Sequence, residues 1–106
     1  MTNKQFNNKV QFVINQIINN YNPEKIILFG SSASGKTNRW SDADLVIIKS
    51  TKKRFYERIG EISSLIDHDI PLDFIVYTPD EFVKMSDSNY FVRDEILKKG
   101  KVVYEQ

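Results

Sequence analysis

The 106 residues, 41% hydrophobic and 27% charged, have ordinary globular proportions: enough for one core in a single domain over residues 1–106, and cramped for a multilayered enzyme. Fifteen basic against fourteen acidic residues leave a net charge of +1, so no global field gathers nucleic acid, and any such contact would be local. The lack of cysteine excludes disulfides and thiolate metal sites, and with neither a signal-peptide pattern nor an apolar run of about 18 residues the expected location is the cytoplasm, with no membrane partner.

Phe6, Val10, Val13, Ile14, Ile17, Ile18 and Tyr21 recur at intervals of three and four, which predicts an amphipathic helix over residues 3–20. Asn22-Pro23 ends it. The run Lys25-Ile26-Ile27-Leu28-Phe29, closed by Gly30, reads as a buried strand, and Leu45-Val46-Ile47-Ile48 as a second. Phe55, Ile59, Ile62, Leu65 and Ile66 return to helical spacing, and Ile70-Pro71 precedes a third strand, Leu72 to Tyr77. Thr78-Pro79-Asp80-Glu81 supplies an N-cap, a first-position proline and acidic first-turn residues for a short helix. Another helix is expected from near Ser88, with Phe91, Ile96 and Leu97 inward and Gly100 as its stop, followed by a strand from Lys101 to Tyr104. Alternating helices and strands predict an α/β domain, a small mixed sheet of about four strands flanked by helices.

The loop after the first strand carries two phosphate-binding patterns on the same residues. Gly30, Gly35, Lys36 and Thr37 fit the P-loop spacing G-x-x-x-x-G-K-[ST], whereas Gly30-Ser31, ten residues and then Asp42-Ala43-Asp44 form a Gly-Ser turn followed by paired carboxylates. A P-loop needs a crossover of at least about 10 to 12 residues. At about 1.5 Å per helical residue, Lys36 to Ser41 spans only roughly 9 Å, half a typical strand. Thr37-Asn38-Arg39-Trp40-Ser41 also lacks an apolar stripe. The P-loop match is therefore set aside as coincidence.

The second pattern fits its surroundings. A strand runs into Gly30, whose missing side chain lets backbone approach a phosphate, and Ser31 opens a helical turn whose free N–H groups suit an anion. Asp42 and Asp44 sit at the start of the next strand, where residues two apart point the same way, about 6.6 Å from each other. At an effective dielectric near 20 they repel by about 2.5 kcal/mol, a cost a divalent cation would offset. Oxygen-only ligands imply Mg²⁺ or Mn²⁺, and Asp73 is the candidate third ligand, because a charge inside Pro71-Leu72-Asp73-Phe74-Ile75-Val76 is expensive unless paired. Asp67-His68-Asp69, at a helix end before a proline, reads as a solvated connection with an idle histidine. Trp40 could stack on a base but reads first as a lid over the core edge or a partner contact, and Lys98-Lys99-Gly100-Lys101 reads as a solvent face.

On Gly30-Ser31, Asp42-x-Asp44, Asp73 and the closing Gly100-x-Val102-x-Tyr104, the chain resembles the minimal nucleotidyltransferases, or MNT domains, of the DNA polymerase β superfamily over nearly its whole length. The resemblance implies a nucleotidyltransferase fold and ATP as substrate. Gly30, Ser31 and Lys36 would hold the triphosphate, while Asp42, Asp44 and Asp73 would bind two Mg²⁺ ions, Asp73 completing the site or serving as base. It also implies transfer of AMP to a hydroxyl acceptor by in-line displacement at the α-phosphorus. Many relatives of this size look like antitoxins that modify a tyrosine of a helical HEPN-type toxin, and both homo- and hetero-oligomers are open. Ser34 stands where the family commonly has arginine, leaving Lys36 or Arg39 to supply that charge. The alternative is a weakly catalytic or non-catalytic module that neutralises a partner protein by contact.

Overall fold

A computed structural model of the chain describes residues 2–30, 33 and 42–106. The first helix, α1 (Asn3–Tyr21), starts where Thr2 and Gln5 cap each other: the Thr2 hydroxyl accepts the Gln5 N–H at 3.1 Å, and the Gln5 side chain accepts the Thr2 N–H at 2.8 Å. It ends at Asn22 in the left-handed conformation, φ 52°. There follow β1 (Lys25–Phe29), β2 (Ala43–Ile48), α2 (Phe55–Ser63), β3 (Leu72–Tyr77), α3 (Pro79–Ser88), a π-helix (Phe91–Lys98) and β4 (Lys101–Glu105). Thr78 caps α3 as expected, its hydroxyl accepting the Glu81 N–H at 3.2 Å while the Glu81 carboxylate accepts the Thr78 N–H at 2.8 Å.

The four strands lie in the order β3-β2-β1-β4. β1 pairs antiparallel with both β2 and β4, and β2 pairs parallel with β3, the α2 segment making the crossover. The sheet is thus mixed. Antiparallel β1 and β2 also remove the P-loop topology, in which a crossover helix returns the chain to a parallel strand. Period-two alternation divides the strands between two cores. Ile26, Leu28, Leu45, Ile47 and Val76 pack under Phe6, Val10, Val13, Ile14 and Ile17 of α1, with Ile62, Ile66 and Ile70. Ile27, Phe29, Val46, Ile48 and Tyr77 pack on the opposite face against Val92 and Ile96, with Phe82 and Met85 of α3 alongside. No described helix is long and apolar enough to cross a membrane.

Two helices differ from expectation. α2 stops at Ser63, short of Leu65 and Ile66, because the Ser64 hydroxyl takes the Glu61 carbonyl at 2.7 Å and the Leu65 N–H closes a tight turn on the Ile62 carbonyl at 3.0 Å. Ile66 still reaches the core. In the last helix the inward face is set by Val92 and Ile96, four residues apart. Val92 and Ile96 are fully buried, whereas Phe91 and Leu97, expected inward, are 44% and 45% exposed. Phe55 is likewise half exposed, and the inward side of α2 carries Arg58 with Ile62. The connection at residues 67–69 is exposed as expected, and it is tied down: Gln16 exchanges two hydrogen bonds with the Asp67 backbone at 2.7 and 2.8 Å, and Lys9 pairs with Asp69.

Candidate active site

Sheet register decides which polar side chains meet. β2 begins at Ala43, which is buried toward α1, so by alternation Asp44 faces the other way, toward the side occupied further along by Val46, Ile48 and the C-terminal helices. Asp42, just before the strand, falls on the same side. Asp44 is the register partner of Asp73 on β3 and of Phe29 on β1. With neighbouring strands about 4.8 Å apart, Asp44 and Asp73 project side by side. The three aspartates therefore share one corner of the sheet, at the N-terminal ends of β2 and β3.

The electrostatics agree with that placement. Asp44 is half-buried, and its carboxyl is pushed above the ordinary aspartate range first by burial, then by the charge of Asp73, then by that of Asp42. Among the described residues none of the three forms an ion pair. Nor do any three acidic or histidine side chains among the described residues close into a ready-made ion cage. What the corner offers is an all-oxygen donor set carrying uncompensated repulsion, which suits a hard divalent cation such as Mg²⁺. The case for Asp73 changes in kind: it is exposed, so no cost of burial demands a partner, and its place rests on register with Asp44 alone.

Gly30 closes β1 beside this corner with φ +72°, in the left-handed region, and a Cβ there would come within 2.5 Å of Asp44 Oδ2. The glycine is thus favoured by its own backbone, and a side chain there would also displace the end of the Asp44 carboxylate. The N–H of Ala33 returns to the Gly30 carbonyl at 3.2 Å, the start of a helical turn. Ser31 and Lys36, expected to hold triphosphate, lie outside the described residues, as do Ser34, Arg39 and Trp40. Sequence reasoning missed Phe29 as a neighbour of the acidic corner; antiparallel pairing of the two strands flanking the loop would have put it there.

A four-stranded mixed sheet between helices, with an acidic corner beside a glycine turn, is an α/β domain of the nucleotidyltransferase type. The sequence matches the polymerase β nucleotidyltransferase family over residues 12–106, and the chain belongs to that family. Among solved structures, a protein assigned as a nucleotidyltransferase from Sulfolobus solfataricus superposes with a TM-score of 0.62 at 15% identity, covering 95% of this chain and 86% of that one. A toxin–antitoxin structure with AMP-PNP superposes with a TM-score of 0.58 at 19% identity, covering 91% and 73%. At these identities the likeness is one of fold. No curated protein matches the chain.

Proposed function

We propose that this domain transfers AMP from ATP to a hydroxyl acceptor, and that it acts in the cytoplasm as the antitoxin of a two-protein pair, the acceptor being a tyrosine of a helical HEPN-type toxin. The observation that carries the reading is the register of Asp44 with Asp73 across parallel strands, with Asp42 on the same side and Gly30 against Asp44. Family membership supports the reaction class, and the fold shared with a chain from a toxin–antitoxin structure containing AMP-PNP supports both the nucleotide and the partnership.

In this mechanism Gly30 and Ser31 receive the triphosphate on backbone N–H groups, with the charge of Lys36 beside them. Asp42, Asp44 and Asp73 would hold Mg²⁺, two ions in the full site, which supplies positive charge to the acceptor oxygen and the leaving pyrophosphate. The acceptor oxygen forms a bond to the α-phosphorus while the bond from that phosphorus to the oxygen bridging to the β-phosphate breaks. The acceptor proton passes to the exposed Asp73 carboxylate and from there to water. Alignment and charge complementarity do most of the catalysis.

Labelled ATP with Mg²⁺, with and without the protein encoded next door, tests this. Label should pass to the partner, and Asp42→Asn or Asp44→Asn should cut the rate by at least about 100-fold with the fold intact by circular dichroism. Tight complex formation without label transfer would replace the proposal with neutralisation by contact, the reading that Ser34 in the arginine position favours.

A further inference from the structure

One aromatic ring beside the acidic corner has no part in the core. Phe91, the first residue of the π-helix, is 44% exposed, while the core contacts of that helix are made by Val92 and Ile96. Its ring meets Phe29 edge to face, centroids 5.7 Å apart at 85°. Phe29 is the register partner of Asp44 and directly precedes Gly30. Antiparallel partners have Cα atoms about 4.5 to 5.5 Å apart, so Phe91 packs on the residue that lies directly beside Asp44.

Two further features separate this ring from a scattered exposed hydrophobe. In a perpendicular pair, whichever ring presents its edge, at least one face of Phe91 stays clear of Phe29, and the contact fixes the tilt of that face. With Val92 and Ile96 taken as the inward pair, Phe91 falls outside that face and lies against Phe29 at the end of β1, on a π turn of the kind that occurs often at functional sites. Its sequence neighbour Tyr90 is 68% exposed, with the Arg93 guanidinium 6.0 Å from the centre of its ring.

We propose that Phe91 is the stacking platform for the nucleobase of the bound nucleotide, placing the base on the π-helix while the phosphates lie at Gly30 and the aspartates. The assignment rests on the nucleotide-transfer reading above. It locates base recognition within this chain, on the C-terminal π-helix. Stacking is tolerant of base identity and strongest for large rings, which makes purine nucleoside triphosphates the favoured class.

Titration calorimetry in Mg²⁺ buffer with two probes, ATP and inorganic tripolyphosphate, separates the proposal from the reading beneath it. In the unaltered protein ATP should bind more tightly than tripolyphosphate. Phe91→Leu, which keeps an apolar side chain of similar size over Phe29, should weaken ATP roughly tenfold and leave tripolyphosphate unchanged, and Phe91→Trp should restore ATP binding. Thermal melts of both variants establish that the fold is kept. Equal ATP affinity in Phe91→Leu and the unaltered protein overturns the stacking assignment alone. Failure of the unaltered protein to bind either probe overturns the transfer reading and the assignment with it.

Discussion

The parallel pair β2 and β3 has a carboxylate near each end, and the two meet opposite surroundings. At the C-terminal end, Glu81 of α3 receives both Nη groups of Arg58, at 2.6 and 3.1 Å, and Arg58 also donates to the carbonyls of Val76 at 3.0 Å and Lys53 at 2.9 Å. Arg58 is only 4% exposed. The Arg58 hydrogen bond is the main reason Glu81 is held below the ordinary glutamate range. At the N-terminal end Asp44 is raised by burial, Asp73 and Asp42. One end uses charge for cohesion between α2, α3 and β3. The other keeps like charges together with no ion pair to them among the described residues, the kind of perturbed carboxylate cluster often found at functional sites.

Breaking the cohesive end should have the largest effect. Arg58→Ala leaves the Val76 and Lys53 carbonyls without their donor and opens a gap under α2. Stability should fall by about 2 to 3 kcal/mol, with the partly exposed Glu81 able to rehydrate, or roughly 10 to 20 °C in melting temperature. Because Glu81 is depressed in the folded state, its contribution is complete above the unfolded glutamate value and is lost as pH falls through the lower folded value. Denaturant melts from pH 7 down to pH 3 should therefore show an acid-side loss in the unaltered protein that is shallower in Arg58→Met. A loss below about 0.5 kcal/mol in Arg58→Ala would remove the contrast between the two ends.

The two ends also differ in how far they could be read from sequence. α1, β1, β3 and the Thr78 cap follow from local patterns, and the structure puts them within a residue of expectation. The shared side of Asp42 and Asp44 is local too, a matter of strand period. The adjacency of Asp44 and Asp73 is not: it depends on β3 lying parallel to β2 in a particular register, and Asp73 was singled out for a burial it does not have. Arg58 was invisible, because an arginine at helical spacing reads as surface and two of its three acceptors lie 18 and 23 residues away in Val76 and Glu81. Phe91 is a poor inward choice on spacing alone: Phe91, Ile96 and Leu97 are five and six residues apart and share no helical face, whereas the buried pair Val92 and Ile96 is four apart.

At the repulsive end, Gly30 isolates a smaller effect. Gly30→Ala forces a side chain into the left-handed region and against Asp44 Oδ2, and should cost about 1 to 2 kcal/mol. The two parts can be separated by repeating the substitution on Asp44→Ala, where the backbone term remains and the carboxylate contact is gone. A cost identical in both backgrounds would mean that Asp44 does not press on this turn.

The smallest predicted change has the opposite sign. A carboxylate whose folded pKa is raised binds more protons in the native than in the unfolded state over the window between the two values, so stability declines as pH rises through it, and the full cost persists above. At pH 7 and without divalent cations, Asp44→Asn removes that cost, and its melting temperature should exceed that of the unaltered protein by on the order of a few degrees. The advantage should shrink as the pH is lowered and Asp44 takes up its proton. Added Mg²⁺ should raise the melting point of the unaltered protein more than that of Asp44→Asn, because only the former keeps the full set of repelling oxygens for the ion to relieve. An Asp44→Asn variant less stable at pH 7 would mean that the carboxylate is favourably placed after all, and that the two ends of the sheet do not differ in the way their charges suggest.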